Sequence, residues 1–371
     1  MRIRFLFLPM RRIAPALLIA TGLMTLSAAQ ARNDSAARRA APALPETRAS
    51  GTYAGHTQAL AWGQALAARS GLDAQQVQAV LARAHRLPAV EQLVLPPPTP
   101  QARNWQAYRA RFIEPRRLAA GQRFWDQHAS TLARAEQVYG VPAALVVGII
   151  GVETLYGQHT GRFRVLDALS TLAFDFPQAH PRAAERQRFF QDELGHFLQM
   201  TLGQGIDPQS VRGSFAGAMG LPQFMPSSWQ RYAVDFDGDG RIDLFGSTSD
   251  AIGSVARYLQ AHHWQSGQAT HFSVQVPSDP TELQNLLAPD ILPTFSAQAL
   301  LARGAGLDAQ ARQHTGLLAL VELRNGDAPP SYVLGTENFY AVTRYNWSSY
   351  YAMAVIELGQ AVAERRSKVE R

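Results

Sequence analysis

The 371-residue chain contains no cysteine. That absence removes disulfides, thiol nucleophiles, thiolate metal sites and the N-terminal cysteine that a lipid anchor would need. Lysine is almost missing as well, Lys368 being the only one. Without a Gly-Lys-Ser/Thr step there is no phosphate loop of the Walker type. The histidines never fall into a His-Glu-x-x-His pattern, and Gly213-Ser214 lacks the remainder of a Gly-x-Ser-x-Gly elbow, so a zinc site or a serine hydrolase has little support. Long hydrophobic runs are also lacking. Ile13–Leu26 is short and interrupted by Pro15 and Gly22, too little for a retained membrane span.

What the chain does have is one carboxylate at the end of an apolar run. From Val141 to Val152 every residue is apolar or Gly apart from Pro142, so a helix here has no polar face and is buried on all sides. Pro142 suits a first turn and Gly157 a terminus, which predicts a helix over 142–156 with Glu153 in its last turn. Burial and the negative end of the helix dipole both disfavour the ionised carboxylate and push its pKa upward, as a general acid working near neutral pH requires. The competing reading is a structural Glu satisfied by an Arg or a backbone amide.

Around that stretch the chain reads as mainly α with a small α+β insertion. Arg2, Arg4, Arg11 and Arg12, the apolar Ile13–Leu26 and the small residues at Ala29-Gln30-Ala31 predict a secretory signal peptide over 1–31. Its removal takes four arginines and no acids, leaving +2 of the net +6, and the other basic residues are dispersed, which argues against a nucleic-acid partner. Residues 32–50, rich in Ala, Arg, Pro and Ser, read as a flexible leader. Leu60, Leu66, Leu72, Val77, Val80 and Leu81 keep helical spacing, with a break at Ser70-Gly71 and Asp73 as a cap, and Pro96-Pro97-Pro98 and Pro100 form a stiff link; 51–117 is expected as an N-terminal helical domain. Helices predicted over 121–139, 142–156, 165–173, 182–203 and 249–264 make a core over 118–264. Phe272, Val274 and Val276, Leu317–Leu323 and Tyr332–Leu334 are strand-like and set a small α+β domain at 265–336. A final helix, 348–365 within 337–371, returns to the core. Gly304-Ala305-Gly306 follows a helical stretch, so Gly304 is a helix stop rather than a dinucleotide loop, and no organic cofactor is expected.

Ser214–Ser228 is too rich in Gly and Pro to be a regular element. Gly217 and Gly220 permit close approach to a ligand, while Pro222 and Pro226 stiffen the loop that presents Gln223 and Phe224. A rigid loop offering an amide, a hydroxyl and an aromatic face suits sugar binding; a loop packed by its own Met and Phe is the alternative.

Gly151-Val152-Glu153-Thr154 followed by Tyr156-Gly157, Gly217-Ala218-Met219-Gly220, and Gln223-Phe224-Met225-Pro226-Ser227-Ser228 together resemble the membrane-bound lytic murein transglycosylase B family, over about residues 53–364. The resemblance implies a lysozyme-like helical core and cleavage of peptidoglycan glycan strands, with Glu153 as sole catalytic acid and base. It also implies Tyr108, Ser214, Met219, Gln223, Phe224, Tyr258, Tyr345, Asn346 and Tyr351 as cleft residues, the last three through the block Thr343-Arg344-Tyr345-Asn346. Lipid-anchored members carry a cysteine that this chain lacks, so the soluble, periplasmic kind is expected, acting as a monomer with no membrane anchor after signal cleavage. Cell-wall synthases are its candidate protein partners.

Asp235-Phe236-Asp237-Gly238-Asp239-Gly240-Arg241-Ile242-Asp243 places acids at positions 1, 3, 5 and 9 and Gly at 6 of an EF-hand-like calcium loop, with the Arg241 carbonyl at position 7. Clustered carboxylates repel one another unless a hard cation offsets the charge. Position 12 is Gly246 instead of a Glu. The family resemblance implies a longer loop, 235–250, closed by Asp250, with calcium as a structural ion; the alternative is an Asp/Gly turn without metal.

Most glycosidases use two carboxylates. Asp167, Asp175 and Asp192 are the available second acids, and capping or solvated roles suit all three better. A single acid points to substrate assistance and a 1,6-anhydro product. Two alternatives stand beside it, a hydrolytic lysozyme-like muramidase and a non-catalytic, calcium-dependent peptidoglycan-binding protein.

Overall fold

The computed structural model describes residues 51–96 and 103–369. The expected signal peptide, the flexible leader and most of the proline-rich link lie outside the described residues. Those residues are mainly helical and divide into two compact units. One comprises 51–96 and 163–211, the other 103–162 and 212–369. The segmentation expected from sequence runs along the chain, whereas the packing is interleaved: helices from both sides of the Glu153 segment make up the first unit.

In that first unit Thr57–Ser70 ends at Gly71, whose left-handed backbone (φ 74°) returns its amide to the Ala67 carbonyl. Asp73 then caps Ala74–Leu81 by accepting from the Gln76 amide, as expected. Helices Val165–Phe174 and Ala183–Gly203 pack on each other through buried Leu, Phe and Ala side chains, and the first also meets Pro88–Val94. Asp167, 3% exposed, accepts from the His85 amide (2.9 Å) and from Arg164 Nε (2.6 Å). The Tyr53 hydroxyl donates to Asp175 (2.6 Å). These two acids are spent on local structure, and Asp192 is exposed.

The second unit is built around Ala143–Thr154. Leu145 through Gly151 are all buried, the outcome expected of a helix without a polar face. It packs against Pro115–Gln127, Ala129–Tyr139, Thr248–Ala261 and, most extensively, the C-terminal helix Ser349–Val369. The crossing with the last helix is backbone to backbone. A Cβ on Gly148 would fall 2.2 Å from the Val355 carbonyl oxygen, and one on Gly359 2.1 Å from that of Ala144. No single helix among the described residues is long and apolar enough to cross a membrane.

Two helix expectations need correction. The stretch over 121–139 is two helices, Pro115–Gln127 and Ala129–Tyr139, because the backbone leaves helical geometry at His128 (φ −119°, ψ 24°). Pro142 is the N-cap rather than a first-turn residue, and the Glu153 helix stops at Thr154, before Gly157, because Leu155 (φ 50°) and Tyr156 (φ 57°) already adopt left-handed backbone. The small α+β portion is a four-stranded antiparallel sheet in the order Gly306–Leu307, His271–Gln275, Ala328–Gly335, Ala319–Asn325. Phe272 and Leu320 both face Leu334 across it, over a core shared with Leu286, Leu300 and Leu318.

Candidate active site

Glu153 lies in the last turn of its helix, one residue before the chain turns left-handed. Thr154 fixes that turn: its hydroxyl accepts from the Gly157 amide (3.0 Å) and contacts the carbonyls of Ile150 (3.2 Å) and Leu221 (3.0 Å). Glu153 Oε1 accepts a hydrogen bond of 2.6 Å from the hydroxyl of Tyr351, which is 2% exposed on the C-terminal helix. Although the residue keeps some exposed surface, protein surrounds its carboxyl, and that desolvation raises its pKa from the ordinary carboxylate range to about 7. The Tyr351 hydrogen bond acts in the opposite sense and holds the shift back. At neutral pH such a group is present in both protonation states, the condition for an acid that must later serve as a base.

An aromatic wall supports it. Tyr351 stacks on Tyr345 (6.1 Å between ring centres, 17° between planes), Tyr345 packs against Tyr258 (4.7 Å) and Phe224 (5.8 Å), and Phe224 packs against Tyr258 (5.6 Å). The phenols are tied down: Tyr345 donates to the Pro222 carbonyl and Tyr258 to that of Arg344, each at 2.7 Å. Burial raises the pKa of both tyrosines, and of Tyr351, so they stay neutral. Tyr108 is also buried in its phenol, with a pKa pushed up to about 12 by desolvation, and is close enough for the Glu153 charge to contribute.

The Ser214–Ser228 loop is tied together by its own backbone and side-chain hydrogen bonds. Met219 is fully buried and pairs with Phe224 through two backbone hydrogen bonds (2.9 and 3.0 Å). Ser214 Oγ accepts from the amides of Ala216 (3.3 Å) and Ala218 (3.0 Å). Gln223 adopts left-handed backbone (φ 51°), and its amide donates to the Thr160 and Gly220 carbonyls (3.0 and 2.9 Å). Of the residues expected in the cleft, Met219, Phe224, Tyr258 and Tyr351 are buried. Tyr108, Ser214, Gln223, Tyr345 and Asn346 keep partial exposure.

At the acidic loop the structure brings together three carboxylates, Asp235, Asp237 and Asp250, with one oxygen of each within 4.8 Å of the others. Asp250 is 1% exposed, Asp235 is half-buried and Asp237 is exposed, and such a group of hard oxygens suits calcium. Asp239 and Asp243 are outside that cluster. Asp239 Oδ1 accepts from the Arg241 amide (2.8 Å), and Asp243 Oδ1 from the amides of Phe245 and Gly246 (2.9 Å each). Asp250 also joins the loop's ends, accepting from the amides of Phe236 (2.7 Å) and Asp243 (2.8 Å). Ser247, which sequence reasoning did not single out, donates to Asp237 (2.5 Å), and that bond holds the Asp237 carboxyl below its usual range.

One protonatable carboxyl at the end of a buried helix, walled by aromatic rings, defines a lysozyme-like helical core of the kind that acid-catalysed glycan cleavage uses. The family comparison agrees: residues 55–360 match the model of the transglycosylase SLT domain. The chain belongs to that family. It is 40% identical over 326 residues to the membrane-bound lytic murein transglycosylase B of Escherichia coli strain K12, covering 85% of each chain. Among solved structures it is similar to the soluble lytic transglycosylase SltB1 of Pseudomonas aeruginosa (TM-score 0.75, 40% identity, 84% of this chain and 99% of that one). It is equally similar to the Escherichia coli lytic transglycosylase Slt35 in complex with calcium (TM-score 0.74, 39% identity, 88% of this chain and 100% of that one).

Proposed function

We propose that Glu153 is the sole acid and base of a peptidoglycan-cleaving reaction. The chain is a lytic transglycosylase, a lyase of peptidoglycan; family membership and the 40% identity to a murein transglycosylase carry that much. The single observation behind the mechanism is a carboxyl with a pKa of about 7 held by a neutral tyrosine, with the other candidate acids either committed elsewhere or exposed. Protonated Glu153 gives its proton to the oxygen between N-acetylmuramic acid and N-acetylglucosamine, and the C1–O bond breaks. The substrate's N-acetyl carbonyl oxygen stabilises the cation that develops at C1. Glu153, now ionised, takes the proton of the C6 hydroxyl as O6 bonds to C1, closing a 1,6-anhydro ring. No water is consumed, and the acid ends as it began.

Tyr108, Ser214, Gln223, Tyr345 and Asn346 supply the exposed polar and aromatic surface for the glycan, over a floor of Met219, Phe224, Tyr258 and Tyr351. Asp235, Asp237 and Asp250 would hold calcium. That ion would supply charge neutralisation between the loop and the helix Thr248–Ala261, while Asp239, Asp243 and the Arg241 carbonyl complete the loop. The signal peptide over 1–31 assigns the chain to the periplasm, where we take it to act as a soluble monomer. Mass spectrometry of digested sacculi tests the reaction: 1,6-anhydro-muropeptides are expected, reducing ends would make the chain a hydrolytic muramidase, and binding without release would make it a non-catalytic peptidoglycan-binding protein.

A further inference from the structure

Behind the turn that carries Glu153, two half-buried side chains, Arg117 and Tyr156, place buried polar atoms where the reaction has no direct use for them. Arg117, in the first turn of Pro115–Gln127, sends Nη1 to the carbonyl of Gly151, which already receives the Leu155 amide at 3.2 Å. Its guanidinium carbon lies 5.3 Å from the centre of the Phe112 ring, and its Nε is buried without a hydrogen bond. Tyr156 folds back under the same helix. A Cβ on Gly151 would fall 2.5 Å from its hydroxyl, and one on Gly121 2.4 Å, so both positions must be glycine for the phenol to fit.

A half-buried guanidinium is a costly way to steady a helix end at a carbonyl, that of Gly151, which has a partner already. Its charge is what an apolar residue would not supply. A cation against the final carbonyls offsets the negative end of the dipole, and Glu153 sits in that end, two residues beyond Gly151. The groups facing Arg117 are Glu114, Arg111, Arg116 and Tyr156. Glu114 is occupied as the helix cap, accepting from the amides of Arg116 (2.8 Å) and Arg117 (2.7 Å). On the other side Glu153 meets the neutral phenols of Tyr351, Tyr345, Tyr258 and Tyr108.

We propose that Arg117 is a positioning residue for the acid: it clamps the last turn through the Gly151 carbonyl, and its fixed charge lets Glu153 release a proton and persist as a carboxylate until the C6 hydroxyl arrives. This rests on Glu153 being the acid. The test compares sacculus-solubilisation pH profiles of the full chain with R117K, R117Q and R117M, each checked for folding by circular dichroism. Loss of the charge in R117Q and R117M should move the alkaline limb upward by about half a unit, the size of a helix-end charge effect, and lower kcat about tenfold with little change in KM. R117K should restore the limb. A common limb for wild type, R117Q and R117K, with only the melting temperature altered, would overturn the proposal. If R117M does not fold, R117Q and R117K alone decide it, because Gln keeps a donor for Gly151 and Lys keeps the charge. E153Q is measured in parallel: retained activity there would remove the underlying assignment of the acid, a different outcome from unshifted Arg117 variants.

Discussion

At the scale of single residues, a hydrogen bond of 2.6 Å and the burial around it pull Glu153 in opposite directions, and burial wins, since the pKa settles near 7. Protonation is therefore cheap at neutral pH, and the active acid form falls tenfold per unit above pH about 7. Glu153→Gln preserves shape and removes the proton, so glycan binding should persist in a sacculus pull-down while release of soluble fragments disappears. The same shift affects stability. The folded pKa lies above the unfolded one of about 4.3, so the folded state binds more protons between the two values and wild-type stability falls as pH rises from about 4.5 to 7. Gln carries no such penalty. Glu153→Gln should match wild type at pH 4 and exceed it at pH 8 by on the order of 3 kcal/mol, read from denaturant unfolding at both pH values. Tyr351→Phe removes the donor to the carboxylate and should move the alkaline limb of activity to higher pH. Glu153 was legible in the sequence because an acid in an unbroken apolar run advertises its own desolvation. Its tyrosine was legible only by family resemblance, since 198 residues separate the two and no local pattern links them.

At the scale of elements, the site depends on how closely two helices approach. Gly148 and Gly359 let the Glu153 helix and the Tyr351 helix cross with backbones in contact, where a methyl group would fall 2.1–2.2 Å from a carbonyl oxygen. Gly148→Ala or Gly359→Ala must push the helices apart, at a cost of about 3 kcal/mol, and should lower the melting temperature by several degrees. Cleavage per folded molecule should fall as well, because the same displacement stretches the Tyr351–Glu153 bond. The helices themselves were readable: apolar spacing, Gly71 and Asp73 gave the right stops and starts. The break at His128 was not, because no Pro or Gly marks it, and neither was the early end at Thr154, where Leu155 and Tyr156 take a backbone that sequence rules reserve for glycine.

At the scale of the whole molecule, the acidic loop ties a turn to the helix that carries Tyr258, and calcium held by Asp235, Asp237 and Asp250 would stabilise the fold by mass action, by about 2.7 kcal/mol at a hundredfold excess over the dissociation constant. Thermal unfolding with and without a chelator should show the difference. Asp235→Asn with Asp237→Asn should abolish it, with cleavage per folded molecule retained; Asp250→Asn should destabilise even without calcium, because Asp250 also accepts from the Phe236 and Asp243 amides. The sequence displayed the whole run of acids, but could not say which carboxylates converge and which turn to backbone amides.

The order of synthesis adds a last consequence. Tyr351 and Gly359, one of the two glycines at the helix crossing, are translated long after Glu153, with 198 positions between the acid and its phenol. A growing or C-terminally clipped chain lacks both the phenol that steadies the acid and the helix that buries it. Copies that lack the Ser349–Val369 helix would thus lack the means to hold Glu153 as an acid, and the capacity to cut the wall would wait on that one distant segment.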